Sequence, residues 1–351
     1  AGLLAVVMLG LVGLYLRRPI ARFVLLGCYS LALAAQVVCI FFTESRGPWF
    51  GLLAGLFFFV MLYALLRRWR AVAIASIALP VLLLAFLVVM NLPRSPLARL
   101  RNLPYVGRLG SALDIEGGTN KVRVLIWEGA VEMLKANSLR AIIGYGPEAM
   151  YVAYNPFYPP DLAHIEARNA SPDRSHNETF DALVMMGFLG FLVVAYLFGS
   201  LFYYGLSWVG LARGRRERNL FLACTLGGVL LGLLVVLVVD RSWRLAGMVI
   251  SLGFVAGLSF YVAIHVPKGV GEESAGSAPS GWQLLLLTAL ISSILAHFVE
   301  IHFGIAIAAT RTYFWAYSAL MVALGQGLAA AAPQEIPDEA KGRISDSGYK
   351  V

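Results

Sequence analysis

The chain has 351 residues, of which 59% are hydrophobic and 14% charged, with a formal net charge of +8 and a mean hydropathy of +0.76. A soluble domain carries roughly 25% charged residues, so this composition excludes an ordinary soluble globular protein and predicts a polytopic membrane protein. The positive charge sits in loops between apolar runs, which argues for membrane orientation and against a nucleic-acid partner. All three cysteines, Cys28, Cys39 and Cys224, lie inside apolar runs, so neither a disulfide framework nor a metal site is indicated.

In chain order, about nine apolar spans are predicted, at roughly 1–16, 20–42, 48–66, 71–91, 179–208, 219–239, 245–265, 282–304 and 312–330. The chain begins at Ala1 within the first of them, which reads as a truncated span. The fold class is therefore an all-α polytopic membrane protein with one large, partly helical extracytoplasmic loop. The organisation reads as N-terminal transmembrane helices over 1–91, the loop over 92–178, and central transmembrane helices over 179–266. A flexible Gly/Ser/Glu-rich cytoplasmic linker over 267–281, a C-terminal hairpin over 282–330 and a tail over 331–351 follow.

Orientation comes from arginine. Arg17, Arg18 and Arg22, then Arg67, Arg68 and Arg70, then Arg213, Arg215, Arg216 and Arg218 fall in short loops on one side if the spans alternate. The positive-inside bias makes that side cytoplasmic. The opposite face then gathers Glu44-Ser45-Arg46, the large loop, Asp240 and Arg241, and a last turn flanked by His297, Glu300, His302 and Arg311. Those charges are the ones the bias does not explain.

Each has two readings. Pro48 fits the first turn of the third span, which would set Arg46 beside free N–H groups as an anion site; the alternative is an arginine snorkelling to the interface. Within the loop, Val122, Ile126, Ala130 and Met133 form one face of an amphipathic helix over 121–137. Arg123 and Trp127 are four residues apart on a neighbouring stripe, where a guanidinium can pair with phosphate and an indole can stack on a sugar. The alternative is a surface helix with Arg123 solvated. Gly144-Tyr145-Gly146-Pro147 is a tight turn, followed by the aromatics Tyr151, Tyr154, Phe157 and Tyr158, which suit an interfacial belt or carbohydrate stacking.

Ser175 and Glu178 have capping-box spacing, so the fifth span is predicted to start there with His176 in its first turn. The helix dipole would keep that histidine neutral and able to act as a base or to orient a hydroxyl; otherwise it merely closes the loop. His297 and Glu300 share a helix face and suggest a polar patch lining a cavity, and Asp240 and Arg241 are spaced to pair with each other or with that patch. No metal-ligand spacing is found.

Together these motifs resemble the O-antigen ligase and O-antigen polymerase superfamily of membrane glycosyltransferases. The resemblance is carried by Ser45-Arg46-Gly47-Pro48-Trp49, by Arg123 with Trp127, by Gly144-Tyr145-Gly146-Pro147, and by Ser175-His176-Asn177-Glu178 followed by Gly187-Phe188-Leu189-Gly190. It implies transfer of a glycan from undecaprenyl diphosphate to an acceptor hydroxyl, on a glycan or lipid, outside the bacterial plasma membrane. It implies no metal and no cofactor, and its partners are the lipid-linked donor, the acceptor and membrane lipids. Arg46, Arg123 and His176 would be catalytic, with Trp127, Arg174, Glu44 and Glu300 binding substrate. Inversion at the anomeric carbon follows from a base opposite the diphosphate. The rival from another class is a transporter or flippase of an anionic lipid-linked glycan, whose usual marks, internal repeats and broken helices, the sequence does not show.

Overall fold

A computed structural model describes residues 19–42, 45–92, 118–266 and 280–331, with the single positions 95, 97 and 100. The expected first span, Glu44, most of the expected linker and the tail lie outside the described residues. Among the described residues every regular element is helical. The long helices are α1 (Pro19–Phe42), α2 (Arg46–Leu66) and α3 (Arg70–Asn91), then α4 (Gly118–Ala136) and the short α5 (Ser138–Ile143) and α6 (Met150–Ala153). After two single-turn 3₁₀ segments come α7 (Glu178–Trp208), α8 (Arg215–Val239), α9 (Ala246–Ala263), α10 (Gly281–His302) and α11 (Ala308–Ala331).

Among the described residues seven helices are long and apolar enough to cross a membrane: α1, α2, α3, α7, α8, α9 and α10. The expected ninth span is the helix α11, which has the length but is not among them, because Thr310, Arg311, Thr312 and Gln326 dilute its apolar residues. The chain is thus a multi-pass membrane protein.

The most enclosed span is α10. It packs along α2, where Gly51 makes close approach possible: a Cβ there would stand 2.5 Å from the carbonyl oxygen of Ala296. Small residues take this role in membranes, where helices associate by packing and not by escape from water. A core of Phe58, Leu62, Phe202, Leu206, Leu258 and Ile291 fills the space between α2, α7, α9 and α10.

A second core lies between the 118–177 segment and the start of α7, and contains Ile126, Trp127, Met133, Tyr154, Leu162, Phe180 and Val184. The expected apolar stripe of α4 is inside it, but Val124, Leu125 and Gly129 are buried as well. The helix is therefore wedged into the protein by more than its expected stripe. Tyr154 is fully buried and donates to the Ile126 carbonyl at 3.1 Å, so it belongs to this core, whereas Tyr151 is exposed.

The expected fifth span is present as α7, but it is not a continuous helix. The fifth span is broken, since Gly187 has φ +67° and ψ −172° within α7. The tight turn at Gly144 fills the break. Tyr145 N–H donates to the Val184 carbonyl at 2.8 Å and Gly146 N–H to the Met185 carbonyl at 3.0 Å. Both carbonyls freed by the interruption are satisfied, as a low-dielectric setting demands.

Candidate active site

The site is built where three segments meet: the N-terminus of α2, the first turns of α4, and the loop entering α7. The C-terminus of α10 lies beneath all three. Gly47 of α2 approaches the carbonyls of Glu300 and Phe303 closely enough that a Cβ would stand 3.2 and 3.1 Å away.

Arg46 opens α2, with Pro48 in the first turn as expected, and its Nη1 donates to Asn120 Oδ1 at 3.0 Å. Arg123 Nη1 donates to the Phe303 carbonyl at 2.9 Å. The Arg123 guanidinium is held below its ordinary pKa by burial and then by the like charge of Arg46. Two guanidiniums from different segments thus face one region, each hydrogen-bonded to a neutral oxygen that cannot offset its charge. A bound anion would relieve the repulsion between them.

His176 stands next to them, but not where the capping box predicts. The N-cap is Asn177, whose Oδ1 accepts from the Phe180 N–H, and α7 starts at Glu178. Ser175 is drawn away from that duty by Asp181: its N–H and hydroxyl both donate to Asp181 Oδ1 at 2.7 Å. His176 is consequently outside the helix, in the left-handed region at φ +58°. Histidine tolerates that region better than bulky or branched residues, and a turn held there by its neighbours fixes the ring's direction. Its pKa is lowered, as expected, yet by burial first and the Arg123 charge second, with Asp173 and Glu166 opposing. A neutral imidazole results.

The turn is pinned on both sides. Asn177 Nδ2 donates to the His302 carbonyl at 3.0 Å, and Trp127 Nε1 donates to the Ser175 carbonyl at 2.8 Å. Trp127 is only 5% exposed and stacks against Phe180 with ring centroids 6.0 Å apart. The indole, expected to bind substrate, is here a strut that sets the Ser175–Asn177 turn.

The remaining expected residues are distributed around this centre. Arg174 forms a two-point ion pair with Glu148, itself at φ +54° in the Gly146-Pro147 turn, while its buried Nη1 has no hydrogen-bond partner. Glu178 lies 3.7 Å from Arg311, which ties α7 to α11. His297 and Glu300 do share a face, with Nδ1 3.3 Å from Oε2. His302 is buried, its Nδ1 2.6 Å from the Phe298 carbonyl. Asp240 pairs with Arg244 and not with Arg241, and the Arg244 hydrogen bonds hold its carboxyl below the usual range. Among the described residues no three His, Cys, Asp or Glu side chains group to hold a metal ion.

Sequence reasoning did not anticipate Asn120, Asn177 and the carbonyls of His302 and Phe303. An asparagine immediately before an apolar run is an N-cap signal that would have identified Asn177. Backbone acceptors leave no trace in sequence.

Comparison with known families matches residues 30–195 to the family described as O-antigen ligase. The matched stretch includes Arg46, Arg123, His176 and Gly187 and stops short of α10. No curated protein and no solved structure matches the chain.

Proposed function

From the match of residues 30–195 to the O-antigen ligase family, we propose that the chain transfers a glycan from undecaprenyl diphosphate to an acceptor hydroxyl at the outer face of the bacterial plasma membrane. The observation that carries the reading is the convergence of Arg46, Arg123 and a neutral His176 at one edge of the helix bundle.

The donor's polyprenyl chain stays in lipid and its diphosphate meets Arg46 and Arg123. As the anomeric C–O bond breaks, negative charge grows on the departing diphosphate oxygen, and fixed guanidiniums stabilise it without reorganising. Arginine's planar fork suits this task, since one N–H can serve the protein while others bind phosphate. His176 accepts the proton of the acceptor hydroxyl as its oxygen attacks the anomeric carbon from the opposite side, which inverts configuration. The cations come from the protein, so the reaction needs no metal. Arg174, through its unpartnered Nη1, and Glu300 are the secondary substrate contacts; Glu44 is a further candidate.

The rival transporter reading gains a broken helix at Gly187, which is a transporter's mark. It loses the point of that feature, because Tyr145 and Gly146 occupy the carbonyls that would otherwise face a substrate or ion.

The test is transfer in vitro with purified protein, undecaprenyl-diphosphate glycan and acceptor in EDTA-containing buffer. Product from the wild type and none from folded Arg46→Ala, Arg123→Ala and His176→Ala supports the assignment. Undiminished transfer by all three overturns it, and translocation of donor without transfer favours the rival. A cysteine at Asn169 should be labelled by an impermeant reagent from outside intact cells; labelling only after lysis would reverse the orientation.

A further inference from the structure

A second feature lies away from His176. A cavity of ≈ 550 Å³ runs between α7 and α8, backed by α9 and α10. Its wall along α7 extends from Glu178 to Tyr204. Along α8 the wall runs from Arg218 in the first turn to Val229 near the middle of the helix, and the walls are mostly hydrocarbon and aromatic.

Its two ends differ in charge. Beside the His176 site the mouth carries Glu178, whose Oε2 is buried without a hydrogen-bond partner. At the other end the wall stops on Arg218, with Arg215 and Arg216 in the same helical turn, and all three are exposed. There the N-cap of α8 is Gly214, which has no side chain to cap the first amides of the helix. Tyr203, Tyr204 and Trp208 stand at the same level, with Tyr204 and Trp208 stacked at 6.0 Å, as aromatics do at headgroup depth. The opposing charge in that corner is Glu217, whose Oε2 lies 2.8 Å from where a Cβ on Gly214 would stand.

The exposed arginines and the N-terminal amides of α8 attract an anionic headgroup to this end. We infer that the end of the channel opposite His176 is a binding site for an anionic phospholipid. The phosphate sits on Arg215, Arg216 and Arg218 at the start of α8, and one acyl chain enters the channel beside Gly199 and Ser200. The site is independent of the transfer reaction proposed above. Its role is to fasten the α7–α8 corner to the leaflet on that side.

The test uses the full chain in nanodiscs of phosphatidylcholine doped with phosphatidylglycerol, with retained lipid read by native mass spectrometry. The wild type should retain phosphatidylglycerol in preference to phosphatidylcholine. Each juxtamembrane arginine contributes about fivefold, so changing Arg215, Arg216 and Arg218 together to Gln should weaken retention by about a hundredfold. A Cβ at Gly199 meets open space, so Gly199→Trp places its indole in the channel and should abolish the preference with the arginines intact. Glu217→Gln removes the competing carboxylate and should strengthen retention. Equal retention of both lipids by the wild type overturns the site. So does a Gly199→Trp protein with undiminished preference, which would mean diffuse surface attraction. Glu217→Gln that leaves retention unchanged counts against the headgroup position even if the other variants misfold.

Discussion

The Phe303 carbonyl accepts a hydrogen bond from the Arg123 guanidinium at 2.9 Å, joining residues 180 positions apart. The carbonyl before it, that of His302, accepts from Asn177. Two consecutive oxygens at the end of α10 thus orient an arginine from the 118–177 segment and the turn that carries His176. The C-terminal hairpin lies outside the matched stretch, yet it is the template on which the matched residues are arranged.

Removing either guanidinium should reduce the chemical step and not only donor binding. Loss of one preorganised charge-stabilising donor typically costs about 10²–10³ in kcat. Arg123→Ala and Arg46→Ala are expected in that range in single-turnover transfer at saturating donor. Arg123→Lys should recover little, because an ammonium cannot reach Phe303 O and a phosphate together in the fork geometry. A variant with normal kcat and only a raised KM would assign these residues to ground-state binding.

The pH profile follows from the histidine. Burial and the Arg123 charge hold His176 below its ordinary value of 6.5, and the base is competent when neutral. Transfer should therefore be flat through neutral pH and fall only in the acid range below 6.5, as the imidazole protonates. Arg123→Gln removes a repelling charge, so the residual activity should lose its acid limb at higher pH than the wild type. An acid limb that moves to lower pH, or does not move, would exclude His176 as the titrating base.

Asn177 performs two tasks that substitution separates. Serine caps a helix about as well as asparagine but is too short to reach the His302 carbonyl. Asn177→Ser should lose about 1 kcal/mol of stability for the missing hydrogen bond. Asn177→Ala, without the cap too, should lose about 2 kcal/mol. Thermal unfolding in detergent should rank wild type, Ser, then Ala; coincident Ser and wild-type melts would remove the His302 link.

Gly187→Ala should be strongly destabilising. The position is at φ +67°, and an added Cβ would lie 2.3 Å from the backbone of Ile142. Strain of about 1–3 kcal/mol adds to the displacement of the Gly144 turn. The expected signs are a lowered Tm and faster proteolysis within 138–150; a melt within a degree of the wild type would mean the break is not needed.

Long apolar runs made the spans legible, and the four-residue spacing of Arg123 and Trp127 placed them on one helix. The pairing of His297 with Glu300 was legible for the same reason. What was hidden depended on competition between neighbours. Ser175 and Asn177 are both good caps, and only the capture of Ser175 by Asp181 decides between them. Trp127 presents an apolar body and one N–H, so stacking on substrate and bracing a loop look alike until burial is known. Gly187 sits in an apolar run that reads as continuous helix, because a glycine does not announce the sign of its φ. The supports of the two arginines are an amide three residues from Arg123 and a carbonyl at the far end of the chain. Neither has a pattern.

The Gly187 break has a consequence for biogenesis. Tyr145 and Gly146 must be in place before the Val184 and Met185 carbonyls can leave water without penalty. The stretch from Gly187 to Trp208 can insert as a short hydrophobic anchor on its own, while Glu178–Met186 waits for the earlier segment to fold against it. The first turns of α7, and with them the loop that carries His176, are then the last part of this region to take shape.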